Sequence, residues 1–374
     1  MAALHAYSLK RREDDRFLRG LGHYAADGRP PAMLHAVLVR SPHAHADIGA
    51  IDGRAAATVP GFVGLYTNRD LADIAPIQGG IGFNRPDGTP APRTNRALLA
   101  NGRVRFVGEP VALIVAETGA AALNAAERVN VDYAPLPVAT SPDDAMRPGA
   151  PAVWDQVPDN IGFLWSGGDQ DRTASLLRDS AHVTRLTFSI SRVTACPLEP
   201  RGAWAEVQPD GRLALHPSIQ SPFGLRNGLA NNFKLRPTDI RVIAEDVGGS
   251  FGMKAGVQPE YALVAWAARR LGRPVRWIAD RTEAFLSDEQ AREIEITAEL
   301  GLNEDGKFTA LKVRWNVNLG AYVSGRSSWC IGNIGGIAGV YVIPAIYAEC
   351  CGVLTHTIPT TAYRGAGRPE ATYT

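Results

Sequence analysis

The chain has 374 residues, of which 45% are hydrophobic and 21% charged, with a formal net charge of +1. That length predicts two or three domains able to bury cores without disulfide staples. The near-neutral balance excludes the basic signature of a nucleic-acid or membrane-surface protein, so neither partner is expected.

In chain order, the first segment runs from about Arg16 to Ala145. "MLHAVLVRS", "GFVGLYT" and "EPVALIVAET" read as strands, and "GAAALNAAERV" has helix composition. "NVDYAPLPV" returns to strand. This predicts a small domain of mixed helices and strands over residues 16–145. The stretch Thr140–Asn160 is rich in Pro, Asp and Gly, and residues 146–160 are the linker expected from it. A second domain, 161–374, has longer strands. "REIEITAELGLNEDGKFTALKVRWNVNLGAY" alternates on both sides of "NEDGK" and predicts a hairpin. "PEYALVAWAARRLG" predicts a helix with Pro259 near its start and Val264, Ala267, Ala268 and Leu271 on one face.

The four cysteines, Cys196, Cys330, Cys350 and Cys351, form no CxxC, so neither an iron–sulfur nor a zinc ligand set is expected, and a reduced cytoplasm fits. Cys196 as a nucleophile lacks a nameable base. "MAALHAYSLKRREDDRF" has no apolar signal core. Cys330–Ala348 is apolar but broken by Asn333, Pro344 and several glycines, and reads as protein interior rather than a membrane span. His43 and His45 share one side of a strand but have no third ligand nearby, so they read as surface histidines.

Two glycine loops carry the chemistry. "EDVGGSFGMK", Glu245–Lys254, lies between an apolar run and a helical one. Glycines there clear side chains for a close approach, and backbone N–H groups near a helix start suit an anion. The GGxxG spacing is not the GxGxxG of a nicotinamide-dinucleotide site. "TAYRGAGRPEATYT" places Arg364 and Arg368 around a second loop, and guanidinium forks suit phosphates and oxyanions. Two such loops predict a large anionic cofactor. "PSIQSPFG" offers Gln220 as an amide ligand.

In order along the chain, "RFLRGLGHYAADGRPPAMLHAVLVRSPHAHADIGAID", "VRFVGEPVALIVAE", "VDYAPLPV", "LEPRGAWAEV", "SIQSP", "DVGGSFGMK", "RPVRWIADRTEAF" and "TAYRGAGRPE" resemble the molybdenum-binding large subunit of the xanthine dehydrogenase / aldehyde oxidase / aerobic carbon-monoxide dehydrogenase family. The resemblance implies an α+β fold: an a/b hammerhead domain followed by the first molybdopterin-binding domain, with mixed sheets and packed helices. The implied cofactor is a molybdenum–molybdopterin cytosine dinucleotide with no direct side-chain ligand to the metal. Gln220, Phe251 and Arg364 would carry the catalytic positions. Gly248, Gly249, Ser250, Gly252, Gly365 and Ala366 would help hold the cofactor. The implied reaction is oxidative hydroxylation of a small molecule with water as the oxygen source. Electrons would leave through [2Fe-2S] and FAD centres on small and medium partner subunits, making a hetero-oligomer.

Three positions depart from the relatives. Gly365 follows Arg364 where the carbon-monoxide enzyme carries a copper-binding Cys. Ala366 stands where xanthine enzymes place a Phe, and Ala255 follows Lys254 where they place a Glu. The expected substrate is therefore an aldehyde or an N-heteroaromatic compound. Family subunits are about twice as long, and their general-base Glu belongs to a second molybdopterin-binding domain. No Glu here takes that role, so this chain alone is expected to be inactive. The other reading is a non-catalytic half-chain that binds cofactor or acts as a scaffold.

Overall fold

The structure, a computed structural model, describes residues 11–324 and 326–374. The reading of the N-terminus rests partly on residues 1–10, which lie outside the described residues. The strands are β1 (Leu34–Arg40), β2 (Ala46–Asp52), β3 (Phe62–Tyr66), β4 (Arg103–Val104), β5 (Pro110–Ala116), β6 (Asn130–Pro135), β7 (Ile161–Gly168), β8 (His182–Val193), β9 (Gly202–Val207), β10 (Leu213–Pro217), β11 (Ile240–Val242), β12 (Val275–Ile278), β13 (Ala291–Leu302), β14 (Phe308–Gly320) and β15 (Ile346–Leu354). The helices are α1 (Asp14–Leu18), α2 (Gly119–Ala126), α3 (Pro142–Ala145), α4 (Gln170–Arg178), α5 (Pro222–Phe233), α6 (Pro259–Leu271), α7 (Arg281–Ser287) and α8 (Arg368–Tyr373).

Three sheets form. One has seven strands in the order β11-β10-β9-β12-β1-β5-β3, one has five in the order β7-β15-β14-β13-β8, and β4-β2-β6 make the third. The seven-stranded sheet takes strands from both sides of the 146–160 stretch. Its seam is the parallel pairing of β1 with β12, Leu34 opposite Val275. The expected hairpin is β13–β14, in antiparallel register from Ile294↔Val317 to Leu302↔Phe308. Residues 146–160 are packed: the buried Asn160 amide donates to the carbonyls of Ala145 and Pro151 and accepts from Val153 N–H.

One core lies between the seven-stranded sheet and helices α5 and α6, with Leu34, Leu113, Leu215, Leu229, Trp266 and Trp277 buried in it. Each such side chain contributes roughly 2–3 kcal/mol of burial. A second core backs the five-stranded sheet around Phe163, Trp315 and Val317. α6 differs from the one-faced helix expected. Every residue from Pro259 to Ala268 is buried. It starts with Pro259 in its first turn and ends where Gly272 takes φ +63° and its N–H caps Ala268 O.

Two expectations need correction. Cys330–Ala348 is not wholly interior: Val340, Tyr341 and Val342 are exposed. The Pro and Gly residues leave short 3₁₀ turns there instead of a continuous apolar element, and no helix among the described residues is long and apolar enough to cross a membrane. His45 is not a surface histidine. It is buried at the end of the β1–β2 connection, with its ring 4.1 Å from that of buried His356. β6 and the segment after it cover it: Leu136 N–H bonds His45 O, and Pro137 O lies 2.7 Å from His45 Nδ1.

Candidate functional site

The first glycine loop rests on a buried ionic buttress. Glu199, between β8 and β9, accepts from Gly248 N–H at 2.7 Å and from Ser218 Oγ at 2.6 Å. Lys254, fully buried, sends its ammonium to Glu199 O at 2.6 Å, Ser218 Oγ at 2.7 Å and Glu199 Oε2 at 3.2 Å. Burial pushes the Lys254 pKa down, and Glu199 opposes that shift. Tyr261 on α6 locks the same connection by donating to Ser218 O at 2.7 Å. The loop itself is longer than a strand-to-helix turn: β11 ends at Val242 and α6 begins at Pro259.

The protein's own chain also requires these glycines. A Cβ on Gly248 would collide with Glu199 Cβ, one on Gly252 would lie 2.6 Å from Ala362 O, and one on Gly249 would lie 3.1 Å from Pro197 Cβ. The protein's own chain makes the close approach. The edge left for a ligand is the N–H side. Gly249, Phe251 and Gly252 all have positive φ, at 102°, 54° and 102°. Among the described residues, the N–H groups of Gly249, Ser250 and Phe251 have no acceptor. Successive unpaired N–H groups on a chain that alternates into the left-handed region suit an anion.

Gln220 sits on the β10–α5 connection, facing solvent. Its Oε1 accepts from Ser250 Oγ at 2.6 Å and Gly252 N–H at 3.1 Å, and its backbone N–H bonds Lys254 O at 2.8 Å. The two bonds to Oε1 fix the amide's orientation and leave Nε2 as an outward donor with no acceptor among the described residues.

The second loop docks on the first. Arg364 N–H donates to Phe251 O at 2.9 Å, and the Arg364 guanidinium lies 5.9 Å from the centre of the Phe251 ring. Arg364 is exposed and its guanidinium has no hydrogen-bond partner among the described residues. Gly365 and Ala366 have φ of 102° and 45°, and Gly365 N–H has no acceptor among the described residues. A non-glycine residue at positive φ costs of order 1 kcal/mol and persists where surroundings impose it. Phe251 and Ala366, one on each loop, both do so. Thus Gln220, Gly248–Gly252 and Arg364–Ala366 are brought to one place. Cys196 is not part of a nucleophile pair. It is exposed, with Arg281 Nη1 3.4 Å from its sulfur.

Several supporting residues were not legible as a group in the sequence. Arg326 donates to Gly252 O at 2.8 Å and to Ala255 O, and Glu289 pairs with it and with Arg96. Deeper, fully buried Arg201 bonds Glu260 and Asp288 at 2.6 Å each, while Arg40 from β1 reaches Glu260 at 2.9 Å and Glu283 at 2.7 Å. Burial works to raise the Glu260 pKa, but Arg201 and Arg40 hold it well below the usual carboxylate range. Arg201 stands in the "LEPRGAW" segment, yet only its zero exposure reveals its role.

This donor set fits an anionic, oxygen-rich cofactor: free N–H groups on both loops, an outward amide at Gln220 and an uncommitted guanidinium at Arg364. No cluster of three or more His, Cys, Asp or Glu that would ligate a metal directly exists among the described residues.

The family model for the molybdopterin cofactor-binding domain matches residues 153–374. The model for the a/b hammerhead domain of aldehyde oxidase and xanthine dehydrogenase matches 19–137. The nicotine 6-hydroxylase large subunit of Paenarthrobacter nicotinovorans is 35% identical over 97% of this chain and 44% of its own length. The carbon monoxide dehydrogenase large chain of Afipia carboxidovorans is 33% identical over 97% and 46%. Among solved structures, quinoline 2-oxidoreductase from Pseudomonas putida 86 superposes with a TM-score of 0.87 at 38% identity, covering 96% of this chain and 45% of that one. This chain spans about half the length of these relatives. With an a/b hammerhead domain followed by a molybdopterin-binding domain in an α+β arrangement of mixed sheets and helices, the chain belongs to the family of molybdenum-binding large subunits that includes xanthine dehydrogenase, aldehyde oxidase and carbon-monoxide dehydrogenase.

Proposed function

We propose that this chain forms part of the catalytic subunit of a molybdenum hydroxylase, holding a molybdenum–molybdopterin cytosine dinucleotide between its two glycine loops. The observation that carries the reading is the docking of Arg364 on Phe251, which joins two sets of unpaired donors beside Gln220. When bound, the cofactor supplies the two-electron chemistry by which oxygen from water is added to an electron-poor carbon. The chain's residues hold and orient it. Gln220 Nε2 and the N–H groups of Gly249, Ser250 and Phe251 donate to anionic oxygens, and Arg364 places a fixed cation beside them. These donors are set before substrate arrives, since Gln220 Oε1 is already committed to Ser250 and Gly252.

An N-heteroaromatic substrate is the reading favoured here over an aldehyde. Ala366 carries only a methyl group, half-buried against the core, and offers no aromatic face for a purine to pack on. Two relatives, at 35% and 38% identity, are named for nicotine and quinoline, both nitrogen heteroaromatics. The general-base carboxylate would come from polypeptide beyond these residues. Electrons would pass to [2Fe-2S] and FAD subunits in a hetero-oligomer. A cytoplasmic setting goes with this reading.

The test is isolation of the native assembly from its source cell, with intact mass, molybdenum content and quinoline turnover measured against an artificial acceptor. A subunit near twice 40.0 kDa that carries molybdenum and oxidises the heterocycle is expected. Protein that carries neither molybdenum nor pterin overturns the reading. The isolated 374-residue chain should show no turnover. In the assembly, Gln220→Ala should lower kcat by about a hundredfold, the usual effect of losing one such donor.

A further inference from the structure

Arg292 and Glu293 occupy positions in β13 that side chains rarely tolerate. Both have φ near the left-handed helix, 65° and 63°, although neither is glycine and both lie within a 12-residue strand. Pairing with β8 keeps the same register on either side of them, Ala291↔Val193 and Ile294↔Ile190. The kink therefore serves no register change. It re-aims Arg292. Its guanidinium pairs with Glu370 on α8, donates to Arg364 O at 3.3 Å and lies 5.2 Å from the centre of the Tyr363 ring. The neighbouring backbone is zipped to the same segment: Gln290 N–H bonds Pro359 O and Thr361 N–H bonds Gln290 O. Glu293 is tied off in the other direction by Arg192, which also donates to Ile358 O at 3.0 Å.

We propose that Arg292 is a positioning residue for the second glycine loop, and that the left-handed kink at Arg292–Glu293 exists to deliver it. Arg292 grips the loop from behind, through Tyr363, the Arg364 carbonyl and Glu370. The exposed face of Arg364 stays free for the anionic group. Glu370 is 1% exposed, and its second carboxylate oxygen has no partner among the described residues. Its charge is answered by Arg292, so the pair acts as one unit. Local strain held by surrounding contacts is the expected signature of a segment fixed for function. The proposal rests on the reading that the two loops together hold the cofactor.

The test uses two readouts. The first is amide hydrogen exchange in the native assembly after removal of the cofactor. Arg364 N–H bonds Phe251 O and Ala366 N–H bonds Tyr363 O, so these two amides report loop docking directly. Arg292→Gln should speed their exchange by about tenfold or more, with amides of the β13–β14 hairpin unchanged, because only a local opening is affected. Arg292→Lys should restore part of the protection, and Glu370→Gln should reproduce the loss from the other partner if Arg292→Gln fails to fold. The second readout is molybdenum content of the native assembly carrying Arg292→Gln, expected to fall. Unchanged exchange at Arg364 and Ala366 overturns the proposal even if wild type carries molybdenum. Uniformly faster exchange across β13 and β14 also overturns it, as a merely structural role. Wild type without molybdenum defeats the cofactor reading instead, while the exchange result still decides the positioning role.

Discussion

Lys254 carries a cation where water does not reach, and Glu199 is the reason it can. Without that partner an isolated ammonium in the interior would be neutralised or excluded. Lys254→Met leaves the Glu199 carboxylate with only Ser218 and the Gly248 N–H, so folding stability should fall by about 3 kcal/mol in urea denaturation. A change under about 0.5 kcal/mol would show that the buttress contributes packing alone. Gly248→Ala tests the same contact sterically. A Cβ there must push Glu199 aside, and overpacking of this kind costs about 1–3 kcal/mol. The expected readouts are a lowered thermal midpoint and less cofactor retained by the assembly. At this scale the sequence located the loop but not the side chain packed beneath its glycines. Spacing shows where a chain lacks side chains, whereas the group that needs the space lies some 50 positions away at Glu199, a separation spacing does not reveal.

α6 shows how an element can be legible and its surroundings not. Its start at Pro259 and its stop at Gly272 follow from local rules, and so does the β13–β14 hairpin from alternation about a Gly-containing turn. The burial of its whole circumference does not, because it depends on the seven-stranded sheet, which is built partly from β1 and β5. Burial forces Glu260 to find cations, and it finds Arg201 on β9's approach and Arg40 on β1. The network binds three elements that are far apart in sequence. Arg201→Met strands Glu260 and Asp288 in the interior and should cost about 3–5 kcal/mol, read from equilibrium unfolding. Near-normal stability would mean that both carboxyls take up protons at little cost.

Across the whole molecule, His45 and His356 form a pH-sensitive joint between the β1–β2 connection and the segment after β15. Ala139 N–H donates to His356 Nδ1 at 3.2 Å, which places the proton on Nε2. Both Nε2 atoms are buried without a partner among the described residues. Burial, then His45 and Arg105, hold the His356 pKa down to about 4, and burial with Arg103 and Arg105 lowers that of His45 despite Pro137 O and Asp47. A histidine with a depressed folded pKa binds fewer protons folded than unfolded. Stability is therefore complete above the unfolded pKa near 6.5 and is lost as pH falls toward about 4. For His356 the loss amounts to roughly 3 kcal/mol. Urea midpoints measured from pH 8 to pH 4 should fall over that window. His356→Asn, which keeps an acceptor for Ala139 but does not titrate, should flatten the profile.

The sequence alone determined what local chemistry controls. Strand alternation and the proline and glycine at helix ends were enough to place the main elements and both loops, and the order of short motifs, through the resemblance it carries, reached the α+β class and both family domains. It did not determine which side chains support those loops. Nothing in their spacing ties Glu199 to Gly248, Arg326 to Gly252 or Arg292 to Arg364, which they support in the fold. Exposure and charge pairing are properties of chain segments brought together by long-range sheet registers such as β1 with β12. The burial of His45 depended on the same folding. Only the tertiary structure decides which polar groups lose water, and those groups must then find partners wherever the fold has placed them.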